Sequence, residues 1–150
     1  MISELLLISS TTLLGVFTGT QITEAILFVP WWKSLSADEF FSFYKTHGRK
    51  IHRFYAPITI LTVLLSLSTT SYLMISGNLP IIPLMIISIT TLIYFSTYYL
   101  YFRKANDQFI QRSISDNELK TALITWGIWH WLRVGLEVLA LLTHVVLLMK

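Results

Sequence analysis

The chain has no cysteine. Disulfides, thiol nucleophiles and cysteine-ligated zinc or iron–sulfur centres are therefore excluded, while the redox compartment stays open. Charge is scarce as well. Asp, Glu, Lys and Arg make up 13% of the 150 residues, about half the share usual in soluble domains. So little charge cannot cover the surface of a water-soluble fold of this size. Disordered chains, collagen-like repeats and soluble nucleic-acid binders are excluded with it, and no nucleic-acid partner is expected. The familiar catalytic signatures are missing too: there is no P-loop, dinucleotide fingerprint, HExxH or Ser-His-Asp pattern. The N-terminus lacks the basic region and small-residue cleavage site of a signal peptide, and carries Glu4 instead.

What the chain does have is apolar sequence, 54% of it, with a mean hydropathy of +0.64. Four apolar stretches, about 5–29, 54–75, 81–102 and 122–149, each approach the roughly 20 residues needed to cross a bilayer. The expected fold is all-α: one domain over residues 1–150, a polytopic membrane protein built as a four-transmembrane-helix bundle. The net charge of +3 reads as loop lysine and arginine setting topology. Lys33, Lys45, Arg49, Lys50 and Arg53 fall between spans one and two; Arg103, Lys104, Arg112 and Lys120 fall between spans three and four. The connection Ser76–Gly77–Asn78 has no basic residue, and Lys150 alone sits at the opposite face. The positive-inside rule then puts both long loops in the cytoplasm and both termini outside, N-out/C-out, as in a cytoplasmic (inner) membrane protein.

Two capping boxes mark helix starts in the polar segments, Ser36-Ala-Asp-Glu39 and Ser115-Asp-Asn-Glu118. The first predicts a short helix bearing Phe40, Phe41, Phe43 and Tyr44 at the headgroup level, ended or kinked at Gly48. Pro57 is placed to bend span two. Gly15 and Gly19 form a GxxxG pattern suited to close packing of helices within the bundle.

An ionisable residue inside a membrane span is costly and marks a functional hypothesis. Span one carries Glu24, with Thr20 and Gln21 within a turn to hydrogen-bond it. Span four carries His130, Arg133, Glu137 and His144. At about 100° per residue, these four fall within roughly 40° of Trp126 around the helix, on one stripe. Such a stripe must face the bundle interior or a wet cavity. His130 lies roughly 10–14 Å past the cytoplasmic boundary at 1.5 Å per residue, Glu24 at comparable depth, and His52 shallower on the same side. Tyr94 in span three is deep enough to line the same cavity. Asn106, at the end of that span, is a helix cap or a pocket donor. Arg133 has two candidate partners, Glu24 across the bundle and Glu137 four residues on. His144, near the external interface, is the weakest candidate of the stripe.

These residues suit two chemistries. In one, His130 takes a proton from an acidic phenol or enol, Arg133 holds the resulting oxyanion, and Trp126 and the tyrosines stack on a flat substrate. No cofactor is needed. In the other, His52 and His130 bind haem or a metal ion across the bundle.

The pattern Gly15-x-x-x-Gly19, Pro30-Trp31, a phenylalanine-rich loop, Pro57, Asn106 and Trp126-x-x-x-His130-x-x-Arg133 resembles the anthrone oxygenase-like family of small four-helix membrane proteins, largely a domain of unknown function. The resemblance spans about residues 12–148. It implies the four-helix fold and, for the activity, oxygenation of a polycyclic phenol. Two residues before Asn106, where the family commonly has proline, this chain has Lys104. The expected function is an oxygenase or oxidoreductase acting on a hydrophobic aromatic or quinone-like molecule. His130 and Arg133 are its catalytic residues, and Trp126, Glu24, Tyr94, Asn106, Glu137 and His52 line its pocket. The alternatives are a binding or transport module for a proton or small solute, and an accessory subunit of a membrane complex. Expected partners are membrane lipid, a hydrophobic small molecule and a second copy of the chain.

Overall fold

The computed structural model describes residues 1–77 and 79–149. Asn78 and Lys150, named above for the external face, lie outside the described residues. Four long helices run up and down: α1 (Ile2–Ser34), α2 (Ala37–Ser76), α3 (Ile81–Gln111) and α4 (Asp116–Leu148). Each packs along its neighbour in sequence, and α1 closes the ring against α4. All four are long and apolar enough to cross a membrane. Their outward faces carry an apolar coat, including Leu5, Val16, Leu61, Leu64, Ile82, Ile89, Ile128 and Leu142. In water such a coat would drive aggregation; in lipid it is the fitting solvent. The chain is a multi-pass integral membrane protein.

The helices outrun the expected spans. At 40 residues, α2 is about 60 Å long, twice the hydrocarbon thickness of about 30 Å. Residues 37–53 therefore form no separate helix lying at the headgroups; they extend α2 without a break. Gly48 does not end the helix, contrary to the expectation. It is buried against α3, where an added Cβ would come within 3.2 Å of Ile110 and 2.8 Å of the Tyr44 ring. Its small size serves close packing. Asn106 does not cap α3 either, since the helix runs on to Gln111.

The helix starts obey their sequence signals. Ser36 and Ser115 each accept from the backbone N–H three residues on, and Glu39 and Glu118 reach back to the backbone N–H of the serine. Gly77 ends α2 in the left-handed conformation, φ 66°, which glycine adopts without Cβ strain. Arg112 adopts the same region after α3. Its guanidinium bonds Asp38 at 2.7 Å and Asp116 at 3.1 Å, joining three helix ends.

Two π-helical turns interrupt the α pattern, Glu24–Phe28 in α1 and Tyr98–Phe102 in α3. In the first, Val29 N–H bonds the Glu24 carbonyl, five residues back. Pro30 comes next, with no N–H to offer. The added residue in each turn rotates the helix before it by about 100° relative to the helix after it.

The interior has three layers. At the basic end, Trp32, Phe40, Phe41, Tyr44, Phe102, Phe109 and Trp126 form an aromatic core. The middle layer is Leu14, Phe17, Val63, Tyr94 and Ala140. Leu7, Leu73, Leu84, Ile87 and Leu147 close the opposite end. Of the GxxxG pair, a Cβ on Gly15 would meet Leu141 at 3.7 Å and one on Gly19 would meet nothing within 4 Å. The pair makes no tight helix crossing. Gly127 lies closer to its neighbour helix, where a Cβ would meet Lys33 Nζ at 3.2 Å and Val29 at 3.4 Å, both on α1.

Candidate functional site

A cavity of about 750 Å³ opens at the basic end and reaches inward among the four helices. Its deep wall is Gln21, Glu24, Tyr55, Tyr94, Phe102 and Arg133; Arg49, His52, Arg53, Arg103, Asn106 and Asp107 stand nearer the mouth. Arg133 is its centre on three grounds.

The first is the arrangement of the α4 stripe. His130, Glu137 and His144 are fully buried, as is Trp126 apart from 3%. The periodicity of α4 turns all of them inward, as expected. Arg133 alone of the stripe's charged residues reaches the cavity.

The second is how Arg133 is held. Its Nη2 donates to Gln21 Oε1 and to His130 Nδ1, the latter at 2.8 Å. The Phe102 ring lies under the guanidinium, 4.4 Å from Cζ to centroid, within cation–π range. His130 Nε2 is 2.9 Å from the Gln21 carbonyl. That oxygen only accepts, so Nε2 carries the hydrogen and Nδ1 presents its lone pair to the arginine. Both nitrogens of a neutral imidazole are thus engaged. Gln21 does not bond Glu24, as the sequence suggested; it serves His130 and Arg133. Trp126 stacks on His130, centroids 4.9 Å apart. The Trp126 indole N–H and the Tyr44 hydroxyl both donate to Asn106 Oδ1, at 3.0 and 3.1 Å. Asn106 therefore locks the aromatic layer that in turn locks His130.

The third is charge. Arg133 stands 3.9 Å from Glu24 through Nη2 and 3.9 Å from Glu137 through Nε. The sequence left the choice of partner open; the bundle places the guanidinium between the two. Neither separation is a hydrogen bond. With both Nη2 hydrogens committed and Nε turned to Glu137, the Nη1 group is the donor left for a guest. Glu24 also lines the cavity wall.

The remaining candidates separate. Tyr94 lines the cavity, and its hydroxyl is buried with no hydrogen-bond partner among the described residues. His52 lies at the mouth, stacked on Tyr98 at 5.6 Å. His130 is not on the cavity wall, and a metal or haem at His130 would have to displace Arg133 or the Gln21 carbonyl. His52 and His130 are therefore not arranged as a ligand pair, and no group of three or more metal-ligating side chains occurs among the described residues. The haem or metal alternative has no support in this donor set. His144 belongs elsewhere: its Nδ1–H donates to the Ala140 carbonyl at 2.9 Å and Ser10 faces Nε2 at 3.0 Å. That is a helix-packing bond far from the cavity.

Sequence reasoning missed Phe102 and Tyr55 on the cavity wall, and the arginines at its mouth. In the sequence Phe102 marked only the end of span three; the fold brings its ring under Arg133. Comparison with family models, with curated proteins and with solved structures finds no match.

Proposed function

We propose that the cavity binds an oxygen-bearing aromatic or quinone-like molecule within the membrane, and that the protein acts on it as an oxygenase or oxidoreductase. One observation carries this reading: a part-buried guanidinium, held by Gln21 and His130, lines an aromatic-walled cavity that Glu24 also lines. A ring oxygen would bond Nη1, with the Tyr94 hydroxyl and the Tyr55, Phe95 and Trp126 rings available to the ring itself. For a phenol, the proton passes from the hydroxyl to the Glu24 carboxylate and Arg133 holds the phenolate, an oxyanion site fixed in advance. His130 then acts as a positioning residue, holding Arg133 rather than taking the proton itself. The resemblance to anthrone oxygenase-like proteins points to oxygenation of a polycyclic phenol, with dioxygen as oxidant; this chain's residues would supply the deprotonated ring. The aliphatic layer at the opposite end speaks for a one-ended pocket rather than a permeation path. The same reading places the basic end, and the cavity mouth, in the cytoplasm.

The test is equilibrium binding of a polycyclic phenol and a short-chain benzoquinone to the full chain in lipid nanodiscs. Arg133→Lys keeps the charge but loses the planar fork. It should weaken binding about ten- to a hundredfold, the worth of about 1.5–3 kcal/mol for a charged hydrogen bond. Unchanged affinity in Arg133→Lys, or no binding to wild type, overturns the reading.

A further inference from the structure

Buried polar atoms without a hydrogen-bonding partner are rare, and each calls for an explanation. Here all but one, the Trp32 indole nitrogen in the aromatic layer, gather at one level. Among the described residues, both carboxylate oxygens of Glu137 have no hydrogen-bond partner, nor do Arg133 Nε, Tyr94 Oη, and the hydroxyls of Thr18, Thr62 and Thr91. These residues belong to the middle layer by position. Thr18 adjoins Phe17, Thr62 adjoins Val63, Thr91 lies one turn from Tyr94, and Glu137 one turn from Ala140, while Phe17, Val63, Tyr94 and Ala140 pack together. All four helices thus carry an orphaned polar oxygen into one layer of the apolar bundle. It adjoins the cavity through Arg133 and Tyr94, which belong to both. The aliphatic layer of Leu7, Leu73, Leu84, Ile87 and Leu147 closes it from the opposite end.

The ionisable groups facing Glu137 are Arg133 on its own helix, Glu24 on α1, Tyr55 on α2 and Tyr94 on α3. Among them is one fixed cation against two carboxylates. An uncompensated charge buried in this way is strongly unfavourable. A single proton held between the carboxylates balances the site. Each carboxylate is 3.9 Å from the guanidinium, beyond hydrogen-bond range, so passage of the proton between them calls for water bonded to the orphaned hydroxyls.

We propose that Glu137 is the proton reservoir of the site, sharing one proton with Glu24 past Arg133 through water held by Tyr94, Thr91, Thr62 and Thr18. This rests on the reading of Glu24 as the group that takes a proton from the bound ring. It adds what leaves Glu24 free to take that proton. Glu137 carries the proton at rest and Glu24 stays ionised toward the cavity. No bond is made or broken beyond the O–H that moves, and no electron is transferred.

The experiment is infrared difference spectroscopy on the full chain in nanodiscs at neutral pH, in H2O and D2O. The signal is the C=O stretch of a protonated carboxyl. Wild type should show one such band, shifted within minutes of transfer to D2O because water reaches it. Glu137→Gln should lose the band, and so should Glu24→Gln, since each leaves one carboxylate balanced by one arginine. Either variant alone decides the matter if the other fails to fold. Phenol or quinone binding should survive in Glu137→Gln, which does not line the cavity; its loss together with the band would count against the reservoir in favour of a structural role. The proposal is overturned if wild type has no protonated carboxyl, or if the band persists in a folded variant. It is also overturned if sodium removes the band, which would make the threonine–glutamate pocket a cation site. Failure of ligand binding in wild type with the band intact would instead count against the cavity reading alone.

Discussion

Arg133 has three neighbours that hold it in place, Gln21, His130 and Phe102, and two that oppose its charge, and the consequences differ. Removing a holder should loosen the guanidinium without unbalancing the site. In His130→Ala, one Nη2 hydrogen loses its acceptor, and the Gln21 carbonyl loses one of its donors while keeping the Glu24 N–H. Thermal unfolding in detergent should show a loss of about 3 kcal/mol, the cost of unsatisfied buried groups. Ligand affinity should fall less than in Arg133→Lys. Replacing Arg133 with Ala is worse, because Glu24 and Glu137 then face each other with no cation. A cost of about 3–5 kcal/mol is expected for breaking such a buried pair, read as loss of monodisperse protein on size exclusion. The α4 side of this arrangement was legible in the sequence, because helical periodicity alone aligns Trp126, His130, Arg133, Glu137 and His144. The α1 side was not. Gln21 contributes its backbone carbonyl to one partner and its side chain to another, and which groups meet is fixed only when α1 and α4 pack.

The helices themselves show the same division. Both serine caps could be read directly, since a capping box is a local signal. Ser36→Ala and Ser115→Ala should each cost about 1 kcal/mol, with faster hydrogen exchange confined to the first turn of α2 or α4. The π turns could not be read, because nothing local distinguishes Glu24–Phe28 from ordinary apolar helix. Their effect is on aim. Deleting Leu27, a lipid-facing residue 61% exposed, would convert the first turn to α-helix and rotate Glu24 by about 100° relative to Trp32 and the aromatic layer. Helix content by circular dichroism should be retained while phenol binding is lost. Gly48 was misread for a related reason. Glycine is a helix breaker by propensity, but a close approach of α2 to α3 makes its small size the deciding property.

Over the whole molecule, composition and charge distribution were enough to identify the membrane class and the four helices. They carried no measure of how far α2 and α3 project past the lipid. Nine of the eleven basic residues lie at the projecting end or in its connections: Lys33, Lys45, Arg49, Lys50, Arg53, Arg103, Lys104, Arg112 and Lys120. If that end is cytoplasmic, a single cysteine at Ser113 in this cysteine-free chain should react with a membrane-impermeant thiol reagent only after the cells are opened. A cysteine at Glu4, at the other end, should react in intact cells. The reverse pattern would invert the topology.

The aromatic layer has one more consequence. All five tryptophans of the chain, Trp31, Trp32, Trp126, Trp129 and Trp131, lie in the basic half. Trp32 and Trp126 meet edge to face at 5.4 Å, and Trp126 is on the cavity wall. Indole fluorescence therefore reports on this half alone, and the half beyond Glu137 is dark. The unmodified protein is its own optical titration, and a conjugated ring entering the cavity would quench Trp126 and Trp32 before any other reporter in the chain.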